Sequence, residues 1–289
     1  MFRHDKECPF DFQDWSQYDI KRLFAGNECV MAITEDGKVL QKVQRAEYAA
    51  RTIYWKNIKS IAISSFWTAL AVGLVSDGTC MVSKRALREC CAITERRFEF
   101  MNARLKELKD IVEIAVSDAI FALDKHGKVH HISLWREDDY QSVDSWSNIR
   151  HIVTGNQNMV FGITNDGTVL CAGTNALRGP RGNLQEKLSV FHDVIDICAM
   201  GSEGERILLA LSDGSIVDLQ GNILANEHAG TVPLFTGNLS VSAVKMKTGK
   251  YKIFSYADIN EETLAAAASA RDVAIGSLEA GYPAFVVWR

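Results

Sequence analysis

Five carboxylates, Glu28, Asp118, Glu203, Glu205 and Glu279, are the side chains of this 289-residue chain best able to do chemistry, because each follows a small residue that ends a strand. Glycoside hydrolysis needs two such groups a few ångströms apart, one to protonate the leaving oxygen and one to attack or to activate water. Among them stand Asn156, Gln157, Asn158, Asn238 and Arg206, together with the large aromatics Phe66, Trp67 and Tyr282. Acids and amides beside exposed rings also suit a protein partner, since Trp and Tyr anchor interfaces. No acid has a nucleophile and base at recognisable spacing, and solvated acids are the ordinary condition of a loop. The set therefore reads first as a protein-binding surface without catalytic residues, and second as a carbohydrate-active site. Phe66 and Trp67 are its sharpest members, because they occupy a place that is small and polar in most other copies of the pattern.

The remaining chemical motifs point to no cofactor and no metal. His126, His130 and His131 lie in HGKVHH, where strand alternation sends the last two to opposite faces and leaves two ligands without a third. The Asp-Gly steps lack the alternating oxygen ligands of a calcium loop. RGPRG at 178–182 has no following Lys-Ser/Thr and helix, so it is no phosphate loop. Seven cysteines, at 8, 29, 80, 90, 91, 171 and 198, show no CxxC spacing and sit mostly in apolar strand patterns, as reduced packing residues do.

What must position these residues is a repeat. In 146–173, WSNIRHIVTGNQNMVFGITNDGTVLCAG, three short apolar runs are separated by Thr-Gly and Asn-Asp-Gly breaks, and Asp-Gly between strands predicts a two-residue primed hairpin. Comparable turns recur at Asp36-Gly37, Asp77-Gly78, His126-Gly127, Asp166-Gly167, Asp213-Gly214 and Thr248-Gly249, spaced 41, 49, 40, 47 and 35 residues apart. A period near 42 is that of a propeller blade. Two further marks run in register. A small residue (Gly26, Ser65, Ser117, Gly155, Gly201, Gly237) ends each first strand, as close backbone approach around an axis requires. A large residue precedes a β-branched one by three in Trp55/Ile58, Leu108/Ile111, Trp146/Ile149 and Phe191/Val194.

The fold class is therefore all-β, a seven-bladed β-propeller forming one domain over 1–289. Its repeats run roughly 15–54, 55–107, 108–145, 146–190, 191–230 and 231–269. The seventh blade is a composite of 270–289 and 1–14, so the N- and C-terminal segments pair and close the ring, which removes exposed sheet edges. Two insertions of helical character, 83–110 and 258–272, belong on the rim. The first carries eight Lys/Arg and five Asp/Glu, and the second is Ala-rich after an acidic first turn.

An Ile-rich strand ending at Ala-Gly or Thr-Gly, then an apolar strand meeting Asp-Gly-Thr-Val, resembles the repeat of the regulator of chromosome condensation family. The strongest match is TGNQNMVFGITNDGTVLCAGTNALRGPRGN at 154–183, and the pattern is specific in repeats one, two and four. The resemblance implies a seven-bladed propeller. It also implies, more weakly, one of that family's roles: nucleosome binding with nucleotide exchange on a small GTPase, or enzyme inhibition through loops around one mouth. The basic tail of the first role is absent, since the first fourteen residues hold two Lys/Arg against four Asp/Glu, and the Gly-Trp-Arg-His-Thr motifs of the plant photoreceptor branch do not occur.

Net charge of −4 and a pI near 6.0 disfavour nucleic acid as a partner. No run of 18 apolar residues and no basic-then-apolar N-terminus occur, so the expectation is a cytoplasmic, monomeric protein that avoids membranes and binds another protein.

Overall fold

In the computed structural model the described residues are 2–3, 12–26, 29–43, 55–64, 70–84, 95–133, 137–155, 159–173, 183–200, 206–237, 241–255, 259, 261–277 and 283–288. The first strand, β1 (Phe2–Arg3), stands apart from the strands that follow it. Thereafter the chain makes one small antiparallel meander after another. The first three are β2 (Ile20–Gly26), β3 (Cys29–Thr34) and β4 (Val39–Val43); β5 (Ile58–Ile63), β6 (Leu70–Val75) and β7 (Cys80–Lys84); and β8 (Ile111–Val116), β9 (Ala119–Asp124) and β10 (Val129–Ser133). The next three are β11 (Ile149–Thr154), β12 (Val160–Thr164) and β13 (Val169–Ala172); β14 (Val194–Met200), β15 (Arg206–Leu211), β16 (Ile216–Asp218) and β17 (Ile223–Ala225); and β18 (Phe235–Gly237), β19 (Val241–Lys245) and β20 (Tyr251–Ser255).

The seventh sheet joins the two ends of the chain. β21 (Asp272–Ser277) pairs with β22 (Pro283–Trp288), and β22 pairs on its other side with β1, Phe2 opposite Phe285 and Arg3 opposite Ala284. The strands β2, β5, β8, β11, β14, β18 and β21 each touch the next in that order, and β21 touches β2. Seven sheets thus stand around a ring with their first strands innermost, which is the expected propeller.

The core lies between sheets. Seven clusters of buried side chains fill the seven junctions, one each. Large residues ahead of several inner strands act as wedges. Trp55 lies over Gly73, where an added Cβ would come within 2.9 Å of its ring, and Trp146 lies over Gly162 at 2.8 Å. The three-residue spacing of the sequence mark is thus the distance from such a wedge to the strand it supports. Helix α1 (Glu95–Glu107) inserts Met101 and Leu105, both fully buried, between the second and third sheets, and α3 (Glu261–Ala268) buries Ala266 and Ala267 by the seventh. Between them α2 (Leu184–Leu188) contributes Leu188 at the fourth junction.

The hairpins differ from expectation in one respect. A two-residue primed turn needs positive φ at its first central residue, and type I′ at the second as well, yet only the glycine has it: Gly37, Gly78, Gly127, Gly167, Gly214 and Gly249 do, and the residues before them do not. Instead the Gly37 amide donates to Thr34 O at 2.9 Å and the Thr34 amide to Lys38 O at 3.0 Å, a four-residue turn closed by glycine. Asp36 accepts from Thr34 Oγ1, and Asp213 accepts from Ser215 Oγ at 2.6 Å, so these carboxylates shape turns. These hydrogen bonds hold Asp36 and Asp213 below the usual carboxylate range.

Turn glycines also join neighbouring blades. The carbonyls of Gly78, Gly127, Gly167 and Gly214 accept from the amides of Ile111, Ile149, Val194 and His228 of the following blade. Cys29, Cys80, Cys171 and Cys198 are buried free thiols, and burial pushes the last three up to about 12; Cys8, Cys90 and Cys91 lie outside the described residues.

Candidate functional site

The innermost strands enclose a channel of about 670 Å³. Its two ends differ because of a bulge near the start of most inner strands. The ladder slips between Ile20 and Arg22, Ile58 and Ser60, Ile111 and Glu113, Ile149 and His151, and Val194 and Asp196. Two residues then oppose one, which re-aims the side chain after the slip. Arg22, Ser60, Glu113, His151 and Asp196 fall at this place in successive blades, and Asp272 opens the inner strand of the seventh.

Several of these side chains tie one blade to the next. His151, buried, lies between two carboxylates, with Nδ1 at 2.7 Å from Glu113 Oε1 and Nε2 at 3.1 Å from Asp196 Oδ1. The bridge therefore crosses from the third blade through the fourth to the fifth. Burial by itself would lower the His151 pKa, but the charge of Asp196, hydrogen bonds to Asp196 and Glu113, and the charge of Glu113 outweigh it and raise it to about 10. The second carboxylate oxygens are also occupied. Glu113 Oε2 accepts from the Ile152 amide at 3.1 Å, and Asp196 Oδ2 accepts from the Leu234 and Phe235 amides at 2.6 and 3.1 Å. In the seventh blade Asp272 accepts from the Leu23 amide at 2.9 Å and the Tyr251 hydroxyl at 3.3 Å. Burial and the Asp272 charge push that phenol above its ordinary range, so it remains a donor at neutral pH.

Cations share this end of the channel. Lys59 and Arg150 are exposed on the wall, with one Arg150 N–H donating to Val194 O at 2.7 Å. The Arg22 guanidinium lies 5.4 Å from the Phe24 ring centre. Toward the other end the lining becomes small and neutral, through Ala62, Ala115, Thr154, Gly155 and Ala199. There the backbones crowd together. A Cβ on Gly26 would fall 2.9 Å from Ser64 O, and Ser64 Oγ donates to Ser117 O at 3.0 Å.

The loops expected to bind a partner follow these crowded strand ends. Of the residues singled out from sequence, Asp118 and Arg206 are described. Asp118 is half-buried, and its carboxylate accepts from the Tyr140 hydroxyl and from Ser117 Oγ, so it is committed to holding the third blade together. Arg206 opens β15 with its guanidinium 6.0 Å from the Phe254 ring centre. Glu28, Phe66, Trp67, Asn156, Gln157, Asn158, Glu203, Glu205, Asn238, Glu279 and Tyr282 lie outside the described residues. His130 Nε2 meets Asp124 at 2.9 Å and His131 Nδ1 meets Asp144 at 3.0 Å; among the described residues no group of three or more His, Cys, Asp or Glu is arranged to hold a metal ion.

Sequence reasoning passed over the charged end of the channel. Its signal was present as a charge inside an apolar strand opening, IVEIA, IRHIV and VIDIC, one per repeat.

No protein-family model matches this chain, and no curated protein matches it by sequence. Solved structures are similar to it. The ectodomain of the receptor kinase CR4 from Physcomitrella patens has a TM-score of 0.54 at 11% identity, over 83% of this chain and 62% of that one. Human WBSCR16 has a TM-score of 0.52 at 8% identity, over 94% and 83%. Prp20p from Saccharomyces cerevisiae, the yeast RCC1, has a TM-score of 0.49 at 13% identity, over 81% and 71%. With CR4 and WBSCR16 the likeness is one of fold alone.

Proposed function

We propose that this chain is a non-catalytic, monomeric cytoplasmic platform that binds another protein through the loops at the crowded end of the channel, and that it acts as one domain. The supporting observation is connectivity. The C-terminal ends of neighbouring inner strands adjoin: a Cβ on Gly26 would meet Ile63 and Ser64, Ser64 Oγ donates to Ser117 O, Thr154 Oγ1 reaches Val116 O, and a Cβ on Gly155 would meet Ala199. Loops carried by strands that are locked to their neighbours lose little conformational freedom when a partner docks. Exposed Trp and Phe are the usual anchors of such surfaces.

The test is affinity capture with the full chain from its source cell, repeated with Phe66→Ala/Trp67→Ala. Loss of the partner with a melting temperature within about 2 °C of wild type is expected. A large drop in melting temperature would place both rings in the core and end the proposal. Turnover of a glycan that disappears in Glu203→Gln or Glu205→Gln would replace binding with catalysis.

A further inference from the structure

We propose that the charged end of the channel binds a small molecule carrying a phosphate monoester, at a site separate from the partner-binding loops. The first argument is charge. In a chain of net charge −4, the described channel lining carries three carboxylates against four Lys and Arg, and His151 adds a fifth cation. The lining thus has an excess of two positive charges, which matches a phosphate monoester dianion better than a single carboxylate.

The second argument is commitment. Glu113 and Asp196 have both oxygens engaged by His151 and by backbone amides, and Asp272 by the Leu23 amide and the Tyr251 hydroxyl. Their charge is already answered inside the wall. By contrast, Lys59 makes no ion pair among the described residues, and Arg150 gives one of its five N–H donors to Val194 O. A phosphoryl oxygen accepts from guanidinium and ammonium groups such as these.

The third argument is shape. A volume of about 670 Å³ is that of a small-ligand pocket. Val112 and Val232 line it at 42% and 38% exposure, apolar surface on which the organic part of such a molecule can rest. A nucleic acid needs a basic outer face, whereas these cations sit within a closed ring. A channel walled by protein also focuses their field on a small anion.

The experiment is calorimetric titration of the full chain with phenyl phosphate, with benzoate at equal ionic strength as the control. Saturable binding of phenyl phosphate is expected, weakened roughly tenfold in Lys59→Ala, whose melting temperature without ligand stays at the wild-type value. Arg150→Gln provides a second loss in the same direction, and Phe66→Ala/Trp67→Ala leaves the titration unchanged, which separates this site from the loops. Absence of saturation up to about 10 mM phenyl phosphate, equally tight binding of benzoate, or wild-type affinity in both Lys59→Ala and Arg150→Gln would each overturn the proposal.

Discussion

The two ends of the channel are built from the same strands, yet they are held by different forces. At one end Glu113, His151 and Asp196 link three blades through charge-assisted hydrogen bonds. At the other, Gly26, Gly155 and Ser64 let backbones approach closely, with hydroxyl hydrogen bonds from Ser64 and Thr154 to carbonyls of the neighbouring blade. The contrast shows how a ring of near-identical units assigns separate tasks. The charged bridge sits where the ladder slips, and the opposite end is closed by small residues.

The difference can be broken from either side. Asp196→Ala carries the largest expected effect, because it leaves the Leu234 and Phe235 amides without an acceptor and His151 with one carboxylate. About 3–5 kcal/mol should be lost in urea unfolding; a loss below 1 kcal/mol would mean that the bridge contributes little.

The pH dependence of stability comes next in size. His151 titrates near 6.5 when unfolded and near 10 in the fold, so its contribution is complete below pH 6.5 and disappears as pH rises through 10. Between pH 6.5 and 9 wild type should lose a few kcal/mol that His151→Gln does not. Parallel curves for the two proteins would show that the imidazole is not charged. Above pH 9 the comparison is mixed, since unfolded thiols ionise while Cys80, Cys171 and Cys198 stay protonated in the fold to about 12.

At the compact end Gly26→Ala pushes a methyl group against Ile63 and the Ser64 carbonyl, for a cost of about 1–3 kcal/mol by thermal unfolding. Wild-type stability in that variant would show slack where tight approach is inferred. The smallest effect belongs to Thr154→Val, whose hydroxyl reaches Val116 O at 3.4 Å; a change within about 0.5 kcal/mol is expected, and a larger one would reveal electrostatic support at this end too.

Much of the fold was legible because its signals are local and repeated. Turn glycines at a near-constant period, small strand ends, and wedges such as Trp55 and Trp146 each recur within a few residues of one another. The pairing of Phe2 with Phe285 followed from an incomplete last copy. The turn geometry was misread because Asp-Gly serves several hairpins, and only the hydrogen bond from Gly37 to Thr34 separates them. The bridge was invisible for another reason. Glu113, His151 and Asp196 lie 38 and 45 residues apart, each looks like an ordinary polar residue of its own strand, and only the ring brings them together. Asp118 shows the converse: position marked it for a partner, while Tyr140, distant in sequence, holds its carboxylate.

Among the described residues, the strand Phe2–Arg3 pairs with Pro283–Trp288, some 280 residues further along. During translation at roughly 5–20 residues per second, Phe2–Arg3 must wait some tens of seconds for Pro283–Trp288 to leave the ribosome. Until then six sheets stand as an open arc whose first and last members each present a bare side, and a chaperone or a neighbouring nascent chain has that interval in which to find them.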